Sequence, residues 1–404
     1  MKTKSVAIIG TAGIPANYGG FETLAEHLAE ELGGTFDLSV YCSGKRYERQ
    51  QRRQFYKCAR LIYLPFNANG IQSILYDGLS ILHALWYADV LLVLGVSGGF
   101  LLPFVRCFTN LKIITSIDGI EWKRNKWNKW ARWFLWISEW LAVKCSHANI
   151  ADNESIQDYT AMHYSTLSNI IEYGADHIEK VTPGKADYTR WPFLAQPYAV
   201  KVCRIEPENN IQMVLETFSG LQRHPLVLIG NWSNSRYGQE LKQQYGHYPH
   251  LYLLDPIYEP RTLNLLRSNA ALYIHGHSAG GTNPSLVEAM YLGLPVMAFQ
   301  VMYNRTTTEN SALYFKNAAE LKALILQKSL QDLRQIGAVM KAIANRRYTW
   351  QVIAGKYQYL IDTVAQNGTK HTLRPGISKQ LPNAVLVQYQ IGHLQEPSFF
   401  YEKR

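Results

Sequence analysis

Apolar positions along this chain follow two alternating rhythms. Short runs that are apolar throughout give way to stretches in which apolar residues recur every three or four positions. Val6 to Ile9 is the first run and reads as a buried strand. Phe21, Leu24, Ala25, Leu28 and Leu32 then fall on one helical face. Asp37 to Cys42, Val90 to Leu94 and Lys112 to Ser116 read as further strands. The pattern restarts near Tyr198. Tyr198 to Cys203 is a strand, Ile211 to Phe218 a helix, and Leu226 to Gly230, His250 to Leu254 and Ala271 to His275 are strands. A loop, a helix from Leu286 and a strand from Pro295 to Phe299 follow. Continuous apolar strands alternating with helices predict an α/β protein whose parallel sheets are covered on both faces. Pro183 to Pro197 breaks the rhythm, which predicts a domain boundary there.

At 404 residues the chain suits two domains of ~200 residues each. Hydrophobic residues at 47% and charged residues at 18% fit a globular protein rather than a disordered one. The net charge of +10 points to an anionic partner: a membrane surface, a nucleic acid or a phosphorylated substrate. Cys42, Cys58, Cys107, Cys145 and Cys203 are odd in number and widely spaced, which predicts reduced thiols in the cytoplasm and no structural zinc. The first ten residues read as a strand entering a glycine turn, not as a signal peptide. The apolar stretch from Val90 to Val105 is interrupted by Gly95, Gly98, Gly99 and Pro103, so it reads as strand, turn and helix rather than a membrane span.

Two glycine loops carry candidate chemistry. Gly10-Thr-Ala-Gly-Ile-Pro-Ala-Asn-Tyr-Gly-Gly20 links a strand to a helix, where free N–H groups and the helix dipole suit a diphosphate. It is not the dinucleotide fingerprint, because Ala12 stands at the second glycine and no acid ends the second strand. No Gly-Lys-Ser/Thr closes it, so it is not a Walker loop. A structural turn is the plainer alternative. The second loop is His275-Gly-His-Ser-Ala-Gly-Gly-Thr-Asn-Pro-Ser-Leu-Val-Glu288. Gly280 and Gly281 permit close ligand approach, and His277, Thr282, Asn283, Pro284 and Ser285 lead into the next helix. Glu288 lies near that helix's start, where a carboxylate can accept bonds from ribose hydroxyls or simply cap the helix. Arg204 follows a strand, placed to clamp a diphosphate through two bonds or to form a surface ion pair. No Asp-x-Asp pair or metal-ligand spacing occurs, so phosphate charge falls to amides, helix ends and Arg204 rather than to a tightly held metal.

Two stretches, Gly95-Val-Ser-Gly-Gly99 and Gly276-His-Ser-Ala-Gly280, match a serine-nucleophile pattern. A true elbow passes at the serine straight into a helix. The glycines and prolines after Ser97 and Ser278 argue against that. Residues 121–140 hold six of the ten tryptophans, interleaved with Lys123, Arg124, Lys126, Lys129 and Arg132. That is the composition of a membrane-interface helix. Trp133, Trp136 and Trp140 share one helical face, and spacing does not tell a core face from a lipid face. Aromatic and basic residues also suit single-stranded nucleic acid.

Taken together these motifs resemble the large retaining glycosyltransferase family with the two-domain GT-B fold, over nearly the whole chain to about Leu360. More narrowly, Gly-Ile-Pro-Ala-Asn-Tyr-Gly-Gly-Phe-Glu-Thr, Asp118-Gly-Ile-Glu-Trp-Lys-Arg, Ala151-Asp-Asn-Glu, Tyr173-Gly-Ala-Asp, Arg204-Ile-Glu-Pro-Glu-Asn-Asn and the second glycine loop resemble the bacterial rhamnosyltransferase branch of capsule, O-antigen and exopolysaccharide synthesis. The resemblance implies two Rossmann-like domains with sheets facing a central cleft: an acceptor-side domain over 1–190, a donor-nucleotide domain over 191–350, and a terminal helix within 351–404 crossing back to the first. It implies metal-independent transfer with retention from a nucleotide-diphosphate sugar, with no cofactor. The branch suggests L-rhamnose from dTDP-rhamnose as donor and a lipid-linked saccharide as acceptor, at the anionic inner face of the cell membrane, with no nucleic acid partner.

The resemblance assigns the leaving diphosphate to amides at Gly19, Gly20 and the Gly281–Ser285 loop, with Arg204. Asp118 stands where the family often has a catalytic histidine, which implies an acceptor-orienting group or base. Two departures stand out. The wider family has two glutamates separated by seven residues, and Gly280 fills the first position ahead of Glu288. It also usually has a lysine where this chain has Asn209. Both suit the rhamnosyltransferase branch and imply an altered donor site. A GT-B sugar-nucleotide epimerase and a nucleotide-sugar-binding pseudoenzyme are the alternatives.

Overall fold

The computed structural model describes residues 3–16, 19–117, 122 and 128–366. The chain forms two compact units, one of residues 1–172 and 350–404, the other of residues 173–349. The division thus falls ahead of the Pro183–Pro197 stretch, which lies inside the second unit.

Unit 1 runs β1 (Ser5–Ile9), α1 (Gly20–Leu32), β2 (Asp37–Ser43), β3 (Phe55–Tyr56), β4 (Ala59–Leu64), α2 (Gln72–Ala84), β5 (Val90–Leu94), α3 (Leu102–Phe108), β6 (Lys112–Ile117), α4 (Lys129–Cys145), β7 (Ala148–Ala151), α5 (Glu154–Tyr164) and β8 (Asn169–Ile170). The sheet order is β3-β4-β2-β1-β5-β6-β7-β8. Every pairing is parallel except the β3–β4 hairpin. β1 and β5 are apolar and buried almost throughout because helices cover both sheet faces.

Unit 2 runs α6 (Lys185–Arg190), β9 (Ala199–Val202), α7 (Ile211–Ser219), β10 (Leu226–Ile229), α8 (Arg236–Tyr245), β11 (Leu251–Leu254), α9 (Pro260–Ser268), β12 (Leu272–His275), α10 (Pro284–Tyr291), β13 (Val296–Phe299), α11 (Met302–Thr307), β14 (Leu313–Phe315), α12 (Ala318–Gln327) and α13 (Leu330–Arg347). Its sheet is fully parallel, in the order β11-β10-β9-β12-β13-β14. Counted within the unit this is 3-2-1-4-5-6, the Rossmann order, which reverses direction between β9 and β12. Unit 1 reverses in the same way between β1 and β5.

Helix α14 (Trp350–Ala365) belongs to unit 1. Trp350 stacks on His27 of α1 with ring centroids 4.1 Å apart. Asp362 accepts a bond from Lys4 Nζ at 2.9 Å.

Candidate functional site

In an open parallel sheet, ligands bind beyond the carboxyl ends of the strands where the order reverses. In unit 2 that point lies between β9 and β12. The chain leaves β9 through Arg204–Asn210 and leaves β12 through Gly276–Asn283, so the two candidate segments meet there. They are clasped together. Ser278 donates both its backbone N–H and its hydroxyl to the Glu208 carbonyl, each at 2.9 Å. Asn210 Nδ2 donates to the Gly276 carbonyl at 2.8 Å. A Cβ on Gly276 would stand 2.5 Å from the Asn209 carbonyl oxygen, so only glycine allows this approach.

Within the clasp the predicted residues divide into two groups. Arg204 points to solvent with its side chain 52% exposed, 3.9 Å from Glu206. Its guanidinium is therefore available to an incoming anion. Gly280 has φ of +127° and open space around its Cα, and Gly281 is part-buried beside it. Asn283 and Pro284 organise the helix start: the Asn283 side chain accepts from the Ser285 N–H at 3.0 Å, and Pro284 takes the first helical position. With Ser285 N–H capped and Pro284 lacking one, the α10 terminus offers fewer amides to a phosphate than the sequence suggested. The remaining donors come from Gly280, Gly281 and the Ser285 hydroxyl. Asn209 is buried, and its Nδ2 donates to the Arg204 carbonyl at 2.7 Å. It shapes the turn that carries Arg204.

Glu288 lies one turn inside α10 and has partners of its own. Oε2 is 2.7 Å from Arg267 Nη1, with both side chains nearly buried, and Oε1 is 3.3 Å from His177 Nε2. Burial works against its charge, yet the Arg267 cation and the His177 hydrogen bond outweigh it and hold the carboxyl below its ordinary value. A ribose hydroxyl reaching Glu288 would share Oε1 with His177.

Sequence reasoning missed the floor beneath this loop. Lys201 of β9 is fully buried, its Nζ has no hydrogen-bond partner, and it approaches Gly276. Burial lowers its pKa. His275 is also fully buried and stacks on His277 with centroids 4.3 Å apart. Burial and the neighbouring Lys201 drive its pKa well below the ordinary value, so the ring is neutral. A lysine amid an apolar strand, Ala199-Val-Lys-Val202, is the signal that was there to be read.

The first glycine loop, in unit 1, is tied to its own helix. Gly10 has φ of +91°, and a Cβ there would overlap the Leu94 carbonyl at the end of β5. Glu22 Oε1 accepts from Ala12 N–H at 2.8 Å and Glu26 Oε2 from Ala16 N–H at 2.5 Å. The Glu22 carboxylate also rests against the Cα of Gly19. The α1 terminus at Gly19 and Gly20 therefore already faces a negative charge, which opposes a diphosphate. This loop fits the structural-turn alternative better than the phosphate role. Asp118, Lys123, Arg124 and Lys126 lie outside the described residues.

The serine-elbow pattern has no support. The Ser278 hydroxyl is engaged by the Glu208 carbonyl, and helix starts only at Pro284. Ser97 Oγ is 3.4 Å from Ser73 Oγ, with a 3-10 turn at Gly99–Leu101 before α3 begins at Leu102. Among the described residues no three or more His, Cys, Asp or Glu side chains are grouped to hold a metal ion.

Residues 192–331 match the family model described as Glycosyl transferases group 1, and residues 3–176 match one described as Domain of unknown function (DUF1972). No curated protein matches the sequence. Among solved structures the chain is similar to a sucrose-phosphate synthase from Thermosynechococcus elongatus, with TM-score 0.75, 15% identity, and 90% of this chain and 100% of that one covered. HepE of Anabaena, in complex with UDP and glucose, gives TM-score 0.68 at 16% identity, covering 89% and 100%. A putative UDP-N-acetylglucosamine 2-epimerase from Listeria monocytogenes gives 0.60 at 14%, covering 91% and 98%. At these identities the likeness is one of fold. The protein is an α/β chain of the GT-B type, with two parallel-sheet units, and the group 1 match over unit 2 supports a glycosyltransferase.

Proposed function

We propose that the protein transfers L-rhamnose from dTDP-rhamnose, with retention, onto a lipid-linked saccharide during bacterial polysaccharide assembly at the inner face of the cell membrane. The observation that carries the donor half is the clasp at the β9/β12 reversal, which ties the segment bearing exposed Arg204 to the loop that runs through the open Gly280 turn to Glu288. Likeness of fold to HepE, whose structure holds UDP and glucose, supports a nucleotide-sugar donor. The sugar and the acceptor rest on the motifs quoted above.

In this reading Arg204, the Gly280 and Gly281 amides and the Ser285 hydroxyl hold the diphosphate. They stabilise the charge that grows on it as the bond to the anomeric carbon breaks. The acceptor oxygen bonds to the anomeric carbon from the face the diphosphate leaves, and its proton passes to the departing phosphate oxygen. Glu288 orients the ribose through Oε1. Asp118 is assigned to orient the acceptor.

The test is hydrolysis and transfer over a panel of nucleotide sugars with EDTA present and a lipid-linked monosaccharide as acceptor. Turnover with dTDP-rhamnose alone supports the reading. Turnover with a UDP- or GDP-hexose overturns the donor, and loss of turnover in EDTA overturns the metal-free mechanism. The fold likeness to a putative 2-epimerase favours sugar epimerisation as the second reading. An epimerised nucleotide sugar formed without acceptor would select it.

A further inference from the structure

Helices α2, α3 and α4 turn an apolar side outward. On α2 and its flanks, Ile71, Leu75, Leu79, Leu82 and Trp86 are exposed, from 40% at Leu79 to 89% at Trp86. Their spacing of four, four, three and four residues places them on one helical face. α2 contains no Lys, Arg or Glu, and its one acid, Asp77, is buried on the opposite face. On α3, Phe104 and Phe108 are exposed with ring centroids 4.9 Å apart. On α4, Trp130, Trp133, Trp136 and Trp140 are all exposed, whereas Ser138 and Glu139 are fully buried. Solvated helices show the reverse arrangement.

Topology joins these stripes into one surface. α2 connects β4 to β5, α3 connects β5 to β6, and α4 connects β6 to β7. Each connection steps the same way along the sheet order, so right-handed crossovers put all three helices on one face. Packing agrees: a Cβ on Gly78 of α2 would lie 3.4 Å from Leu101, and one on Gly99 would lie 2.2 Å from the Ser138 carbonyl of α4. Lys129 is exposed on the tryptophan side of α4, four residues before Trp133, Arg106 is exposed on α3, and Arg132 lines a groove of about 340 Å³ with Trp122, Trp133 and Trp136.

We propose that this face docks unit 1 in the plane of an anionic bilayer, with α2 and the α3 phenylalanines among the acyl chains and the α4 tryptophans and cations at headgroup level. No helix among the described residues is long and apolar enough to cross a membrane, and outward apolar faces on α2, α3 and α4 suit a contact that lies in the interface plane. Charge argues for lipid over a second copy of the chain. A two-fold dimer through this face would bring equal basic rims together in a chain of net charge +10, and protein interfaces are depleted in lysine. Tryptophan with lysine and arginine at the edge of an apolar surface is instead the composition of a membrane interface.

The inference deepens the lipid-linked acceptor reading, but its test uses neither donor nor acceptor, so the two fail separately. The full chain is floated with phosphatidylcholine vesicles with and without phosphatidylglycerol, as wild type and as L75E/L79E. The wild type floats with the anionic vesicles, and the variant's partition falls about tenfold at unchanged Tm, because both sites are exposed. Brominated acyl chains quench wild-type indole fluorescence as the second readout. Equal flotation of wild type and variant overturns the proposal. So does a wild-type dimer that L75E/L79E dissociates while neither floats, which assigns the face to a second copy.

Discussion

The Glu288–Arg267 pair allows folding and donor binding to be separated. Their side chains are 11% and 7% exposed, and the contact is 2.7 Å. Removing one partner of such a pair leaves an uncompensated buried charge, worth about 3–5 kcal/mol. Glu288→Leu and Arg267→Leu are each expected to lose that much stability in urea denaturation. The double variant leaves no orphaned charge, so it should return to within about 1–2 kcal/mol of wild type. Donor affinity follows a different rule. Only Glu288 presents an oxygen to the ribose in our reading, so nucleotide binding measured by calorimetry stays weak in the double variant although its stability is restored. Glu288→Gln keeps an acceptor oxygen but loses the charge, and about tenfold weaker binding is expected. The depressed carboxyl also sets a pH dependence: its stabilisation is present above the ordinary value of 4.5 and is lost as pH falls through the lower folded value. Additive losses in the double variant would show that the two charges are not coupled. Recovery of nucleotide affinity together with stability would refute the ribose role.

Asp77 is buried and its pKa is raised from 3.8 to about 8. The folded chain keeps a proton the unfolded chain has released, so stability is complete below 3.8 and falls as pH rises toward 8, by up to about 1.4 kcal/mol per pH unit. Asp77→Asn should therefore gain on wild type between pH 5 and 8 in urea denaturation, and a pH-independent difference would count against it. Lys201 is the opposite case. Its depressed pKa means the unfolded chain binds the extra proton, so stability rises with pH up to the ordinary 10.5. Lys201→Met should stabilise at neutral pH, with the advantage fading toward pH 10. Gly10→Ala combines positive φ with overlap on a carbonyl, whereas Gly280→Ala carries positive φ in open space. Thermal denaturation should show the first as severely destabilising and the second as costing about 1–3 kcal/mol, with donor affinity reduced at Gly280.

The strands were legible in sequence because a parallel strand buried on both faces is apolar at every position, as Val90 to Leu94 is. The glycine loops were legible because a close strand-end turn excludes side chains, as Gly10 and Gly276 demonstrate by what a Cβ would strike. The use made of each loop was not. Whether a helix terminus is open to an anion depends on what already occupies it, and Glu22 and Glu26 return to theirs across only ten residues. Glu288 meets Arg267 and His177 from other elements, a pairing no local pattern encodes.

Helix α4 presents the same problem in a sharper form. Periodicity fixes which residues share a face but not which face turns inward. Hydrophobicity would have sent Trp133, Trp136 and Trp140 to the core. The structure instead buries Ser138, which donates to the Val96 carbonyl at 2.5 Å, and Glu139, which accepts from the Tyr159 and Tyr164 hydroxyls. These donors and Trp122 Nε1 converge on Glu139 Oε1, so the carboxylate has partners in the interior and the helix can fold with its indoles outside. Burying Glu139 without such partners would cost several kcal/mol. The polar contacts therefore fix the orientation of α4 before any lipid is present, and the outward tryptophan face is a property of the fold itself.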